Sequence, residues 1–245
     1  GGAGLLMDTY GRNLGAIGVL ADVNATGNGD SGITASVDSP DGFAALLTLS
    51  TDALRPAAAL LGEEFLDGPF TLPGEPFGPV VASGNTGDGF TANVTGYDFS
   101  LAAFLDTQAD GNTGDGFDVT VGSANGMGLA AFISSDLIYE NLPDVLGGDP
   151  IPYAPLGGLT ANDNGTNGFR IAIGAAGEAA VLLAGIEADD NLAGDGVQAT
   201  LASTNAGADA ILVDTWTDRN AGRGVDLDLT SFGISRAALV FADAD

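Results

Sequence analysis

The chain contains no cysteine, no histidine and no lysine. Without cysteine, neither disulfides nor thiolate metal sites can hold the fold. Without histidine and lysine, the most common general base and the Schiff-base amine are missing. Paired carboxylates, as in glycoside hydrolases, remain available, and Glu63, Glu64 and Glu140 stand apart from the repeats described below. We interpret these three residues as solvated helix positions and predict that the protein is not an enzyme.

Positive charge is scarce, with six Lys plus Arg against 33 Asp plus Glu and a net charge of −27. Because no basic patch is available to neutralise phosphates, we expect no nucleic-acid partner. The acidity fits divalent cations, a saline medium or simple solubility. No run approaches the roughly 20 apolar residues of a transmembrane helix, so no membrane span is expected.

A block of about 28 residues returns six times, a period that is typical of folds built by stacking one supersecondary unit. Its clearest copies are 84–90 and 111–117, which share the sequence Gly-Asn-Thr-Gly-Asp-Gly-Phe. Weaker copies occur at 24–33, 164–169, 191–197 and 220–225. The repeats predict one domain over residues 1–245, interrupted by insertions near 51–79 and 135–158. Short helices are expected within these insertions, at 55–66 and 136–141.

Each repeat contains two kinds of apolar segment. The first alternates apolar and polar residues, as in Phe117, Val119 and Val121, which predicts a strand with one face in water. The second is apolar on both faces, as in 101–105 and 129–133, which predicts a strand covered on both sides. The sequence therefore predicts an all-β fold, a two-layer, sandwich-like stack of six β-hairpin repeats with two short helix/loop insertions. A β-solenoid is the alternative.

The loops that open the repeats carry oxygen-bearing side chains at alternate positions with glycines between them, a pattern suited to calcium. The candidate ligands are Asp110, Asn112, Asp115, Asp189, Asp190 and Asp195. The run 111–119 resembles one turn of the Gly-rich nonapeptide calcium repeat of secreted toxins, although its Asp falls one place early and the nonapeptide is never tandem. The alternative is turn chemistry alone, because Asn-Gly and Asp-Gly are common tight-turn dipeptides.

The doubly apolar strands favour a structural protein that self-assembles as a filament, sheath or surface-layer subunit. It is expected to form homo-oligomers or polymers through apolar and terminal strands, with Leu14, Ile17, Val19, Leu239 and Phe241 as assembly residues. An extracellular or cell-surface location is expected for such a subunit. The first residue is glycine rather than methionine, which is consistent with a removed signal peptide, although trimming to the ordered region explains it equally well. The alternative is a calcium-dependent adhesin or carbohydrate-binding module that uses the loops or the aromatic residues Phe70, Phe77 and Tyr153.

Overall fold

A computed structural model describes residues 2–50, 79–137 and 158–243. The strands in these ranges are β1 (Leu5–Tyr10), β2 (Gly15–Ala21), β3 (Ile33–Ser39), β4 (Phe43–Leu49), β5 (Val80–Val81), β6 (Phe90–Gly96), β7 (Phe99–Leu105), β8 (Thr107–Gln108), β9 (Phe117–Ser123), β10 (Met127–Ile133), β11 (Leu159–Thr160), β12 (Phe169–Ala175), β13 (Ala179–Glu187), β14 (Val197–Ser203), β15 (Ala208–Trp216), β16 (Val225–Ser231) and β17 (Ser235–Asp243). Residues 135–137 are helical. The helix predicted at 55–66, and the rest of the one at 136–141, lie outside the described residues.

The strands pair in parallel, so the predicted hairpin repeats and their two-layer sandwich are wrong. The first strand of each repeat pairs with the first strand of the next, giving sheet A in the order β1-β3-β6-β9-β12-β14-β16. The second strands stack in the same way in sheet B, in the order β2-β4-β7-β10-β13-β15-β17. The chain therefore winds in seven coils, each a strand of sheet A followed by one of sheet B, in the manner of a parallel β-solenoid.

A narrow third face closes each coil. Sheet B continues around a corner through β13, whose residues Ile186 and Glu187 pair with β11, followed by β8 and β5. At this corner the backbone takes a positive φ, +65° at Gly185 and +50° at Asp214. The two insertions enter at the same corner, after Ser50 and Ser134, which lie in the equivalent place in their coils. Insertions at a corner leave the sheet pairing intact.

Equivalent apolar residues of successive coils stack on one another inside the solenoid. Phe90, Phe117 and Phe169 are in register in sheet A, with ring centroids 5.8 and 4.9 Å apart. Phe104 and Phe132 of sheet B stack at 4.6 Å and meet the first set edge to face. All five rings are fully buried. Burial of these side chains and their aromatic contacts stabilise the stack of coils.

The recurring Asp-Gly-Phe sequence is explained by the close approach of coils. A Cβ placed on Gly116 would lie 2.6 Å from the carbonyl oxygen of Gly168 and 2.8 Å from Nδ2 of Asn164. The backbone N of Phe117 donates to the same Gly168 oxygen at 2.9 Å. Glycine is therefore needed where the loop enters sheet A, because a side chain would separate the coils.

Candidate functional site

One asparagine of each loop forms a buried ladder along the solenoid. Asn112 Oδ1 accepts hydrogen bonds from the backbone N of Asn85 at 3.0 Å and from its Nδ2 at 2.9 Å. Asn164 Oδ1 accepts in the same way from Asn112, at 3.0 and 3.1 Å. The members, in chain order, are Asn28, Asn85, Asn112, Asn164, Asn191 and Asn220. The ladder pairs most of the polar groups that winding into coils buries, although Nδ2 of Asn164 has no hydrogen-bond partner among the described residues.

A second ladder runs through the later part of the same loops with the opposite polarity. Asp115 Oδ1 accepts from the backbone N and Nδ2 of Asn167, at 2.9 and 3.0 Å, and from the Thr166 hydroxyl. Asp195 Oδ1 accepts from the backbone N of Arg223 at 2.6 Å. In this ladder the side chain of one coil binds the backbone of the following coil.

The remaining candidates lie at the start of the loops. Asp110 accepts from the backbone N of Asn162 at 2.7 Å and from the Thr160 hydroxyl at 2.9 Å, and burial raises the pKa of its carboxyl group. Asp189 Oδ1 accepts from the backbone N of Asp218 at 2.7 Å. Asp190 forms a two-pronged ion pair with Arg219, at 2.8 and 2.7 Å, and these hydrogen bonds lower the pKa of Asp190.

The structure thus places the six predicted calcium ligands in separate contacts between coils: Asn112 in the asparagine ladder, Asp115 and Asp195 in the second ladder, Asp110 and Asp189 in hydrogen bonds at the start of the loops, and Asp190 in an ion pair with Arg219. In the described ranges, no group of three or more acidic side chains is placed to hold a metal ion. At least one side-chain oxygen of every candidate accepts a hydrogen bond in these contacts. Calcium binding by these loops stays a prediction. Their observed role is to fasten each coil to the next.

The two sheets differ in what they turn outward. Sheet A presents mainly polar or small side chains, for example Thr91, Asn93 and Thr95 in β6 and their partners in β9. Its interior row is apolar and fully buried, with Phe117, Val119 and Val121 at 0% exposure. This alternation is the one expected for a strand with one wet face.

Sheet B turns three columns of aliphatic side chains outward, which we name the apolar face. In register they are Ile17, Ala45, Leu101, Leu129 and Ala180; Val19, Leu47, Ala103, Ala131, Leu182, Ile211 and Ala238; and Ala21, Leu49, Leu105, Ile133, Ala184, Val213 and Val240. The first column ends in Asp209 and Arg236, which pair with each other. The apolar face therefore crosses seven strands and carries charge at one corner only.

The predicted assembly residues fall in three different places. Ile17 and Val19 lie on the apolar face and are 54% and 53% exposed. Leu14 lies in the turn before β2. Leu239 is in register with the buried Leu212, but on the last strand of sheet B it is 54% exposed. Phe241 lies in β17. Sequence reasoning thus found two residues of the apolar face and missed its extent, although the doubly apolar pattern of every second strand signalled it.

The chain shows no significant similarity to any protein-family model, curated protein or solved structure. Within residues 2–50, 79–137 and 158–243, no helix has the length and apolar character that crossing a membrane requires. The residues Glu63, Glu64, Phe70, Phe77, Glu140 and Tyr153 lie outside the described residues.

Proposed function

We propose that the protein is a structural subunit of an extracellular or cell-surface assembly, and that copies associate through the apolar face. The observation that supports this proposal is the set of three aliphatic columns on the outside of sheet B. Seven strands about 4.8 Å apart and five residues at about 3.3 Å give a face of roughly 29 by 17 Å, about 500 Å². Within this footprint Ile17, Val19, Ile211 and Val240 are exposed, whereas Ala45, Ala131 and Ala184 are buried. An apolar patch of this extent is typical of an interaction site.

A second copy is the occupant that fits this face best. Two such faces bury about 1,000 Å² together, the size at which specific interfaces begin. The columns cross the seven long strands of sheet B, β2, β4, β7, β10, β13, β15 and β17. The net charge of −27 opposes association elsewhere on the surface. On the apolar face, the carboxylate of Asp209 is already paired with Arg236.

Catalysis has no part in this proposal, and calcium is proposed only as a stabiliser of the loops. The subunit performs its role by presenting the same face on every copy. If the contact is isologous, it forms a closed dimer; a contact between different parts of the face would continue into a filament or sheet. The solenoid supplies the rigidity that such an assembly needs, because each coil is fastened to the next by the loop ladders.

Placing charge on the apolar face should separate the copies. We expect the double variant Leu101→Asp/Leu129→Asp to be monomeric at concentrations where the wild type is assembled, because adjacent carboxylates would have to be desolvated in the contact. Sedimentation velocity and negative-stain electron microscopy at low micromolar concentration give the readout. Circular dichroism should show that the variant keeps its β content.

The matched control is Asn93→Asp/Thr120→Asp, which places the same two charges on neighbouring coils of the polar face of sheet A. This variant should assemble like the wild type. A wild type that stays monomeric at its highest soluble concentration would contradict the proposal. If Leu101→Asp/Leu129→Asp still assembles, the contact lies on another surface, such as the edges of the terminal strands.

A further inference from the structure

A groove lies where sheet B turns into the narrow face, and we name it the Trp216 groove. It has a volume of about 210 Å³. Its walls come from several neighbouring coils and include Asp136, Thr160, Gly185, Glu187, Asp214 and Trp216. Thr160, Glu187 and Trp216 are in register on three successive strands, β11, β13 and β15. The parallel stacking of coils therefore sets the spacing of these three residues, while Ser134, Asp136, Leu137 and Gly158, which lie outside the strands, complete the wall.

Trp216 is the only tryptophan of the chain and is 48% exposed. Its indole Nε1 donates a hydrogen bond to Asp214 Oδ1 at 3.2 Å. This bond satisfies the polar edge of the ring and restrains its orientation. A restrained, half-exposed indole on a strand offers an aromatic surface for stacking at little cost in side-chain entropy.

The polar lining of the groove consists mainly of hydrogen-bond acceptors. Asp136, Glu187 and Asp214 contribute carboxylates, and none of the described residues that line the groove is an arginine. Glu187 Oε1 accepts from Asn162 Nδ2 at 3.0 Å. Burial, followed by the nearby charge of Asp189, raises the pKa of Glu187. The groove is therefore unfavourable for anionic ligands.

We propose that the Trp216 groove binds a neutral carbohydrate. The C–H face of a pyranose ring can stack on the indole, while its hydroxyl groups donate to the carboxylate oxygens, which are acceptors only. An apolar ligand would desolvate the same carboxylates without supplying donors. A volume of about 210 Å³ suits a single sugar unit of a longer chain. This site is independent of self-association, because its lining residues do not belong to the apolar face.

The single tryptophan makes the test direct, since all tryptophan emission of the intact protein comes from the groove. Cellohexaose, maltohexaose and mannohexaose should be titrated separately, with spermidine and tetragalacturonate as cationic and anionic probes. We expect at least one neutral hexasaccharide to shift the emission to shorter wavelengths with saturation. Asp214→Asn should then raise its Kd about tenfold, because a charge-assisted hydrogen bond is lost. The control Asp228→Asn, on the outer face of sheet A, should leave Kd unchanged.

Isothermal titration calorimetry supplies a readout that does not need the fluorophore. Trp216→Ala should abolish the heat of binding while circular dichroism shows the fold intact. A response to spermidine or tetragalacturonate without a response to any neutral hexasaccharide would overturn the proposal in favour of a charged ligand. No response to any of the five probes would overturn it as well, as would equal binding by Trp216→Ala and the wild type.

Discussion

Replacing Asn112 with alanine should lower the free energy of unfolding by about 3–5 kcal/mol, a large effect for one side chain. Asn112 is 2% exposed, and its Oδ1 is the acceptor for both the backbone N and Nδ2 of Asn85. The substitution leaves these two buried donors without a partner and removes one of the two donors to Asn164 Oδ1, since only the backbone N of residue 112 remains. Each unsatisfied buried group costs about 1–3 kcal/mol. Urea unfolding followed by circular dichroism measures the change.

The matched control is Asn93→Ala, which removes an exposed asparagine from the outer face of sheet A. This change should stay within about 0.5 kcal/mol, as is usual for surface substitutions. A loss below about 1 kcal/mol for Asn112→Ala would show that the asparagine ladder does not hold the coils together.

The melting temperature should rise as the pH falls from 8 toward the ordinary pKa values of aspartate and glutamate, about 4, opposite to the usual acid destabilisation. Burial is the largest cause that raises the pKa of Asp106, Asp110, Asp118 and Glu187 above their ordinary values. In the window between the unfolded and the folded pKa, the native state holds more protons than the unfolded state. Stability is then greatest below the unfolded pKa and is lost as the pH rises through the folded pKa. Protonation also relieves repulsion from the net charge of −27.

Differential scanning calorimetry at constant ionic strength tests this pH dependence. Asp106 is fully buried and accepts from the backbone N and the hydroxyl of Ser135 at 2.7 and 2.6 Å, so Asp106→Asn should flatten the rise. Asp190→Asn should not, because the hydrogen bonds of Arg219 lower the pKa of Asp190 and its titration falls below this pH range. A melting temperature that falls steadily from pH 8 to 5 would contradict the assignment of these buried carboxylates.

The sequence predicted the strands and their two kinds of outer face but not how they pair. Alternation as in Phe117, Val119 and Val121 is the same for a hairpin and for a parallel stack, because the side-chain period of a strand is two in both. The Asp-Gly and Asn-Gly dipeptides are equally uninformative about pairing, because they are common in the tight turns of hairpins and also occur in the loops between the coils seen here. The signal that distinguishes the two is identity between repeats: Phe90, Phe117 and Phe169 stack in register only when equivalent strands are neighbours.

In the loops of the candidate site, too, the local sequence pattern fits two different structures. Alternating oxygen side chains suit both a calcium loop and a ladder between coils, because each needs acceptors pointing inward. The asparagine at one fixed position, as in Asn85, Asn112 and Asn164, favours the ladder, since an amide side chain can both donate and accept along a row, whereas a carboxylate can only accept. The Trp216 groove had no sequence signal, because its residues are brought together from positions 134–216 by the stacking of coils.

Cross-linking between copies tests the central claim most directly. Because the chain has no cysteine, Ala103→Cys places a single thiol in the middle column of the apolar face, and Thr120→Cys places one on the outer face of sheet A. Sheets packed face to face lie about 10 Å apart, so a bis-maleimide of similar span can join two copies across the contact. If copies associate through the apolar face, Ala103→Cys should give covalent dimers and Thr120→Cys should stay monomeric. An equal yield of dimers from the two variants, or none from Ala103→Cys, would contradict association through the apolar face.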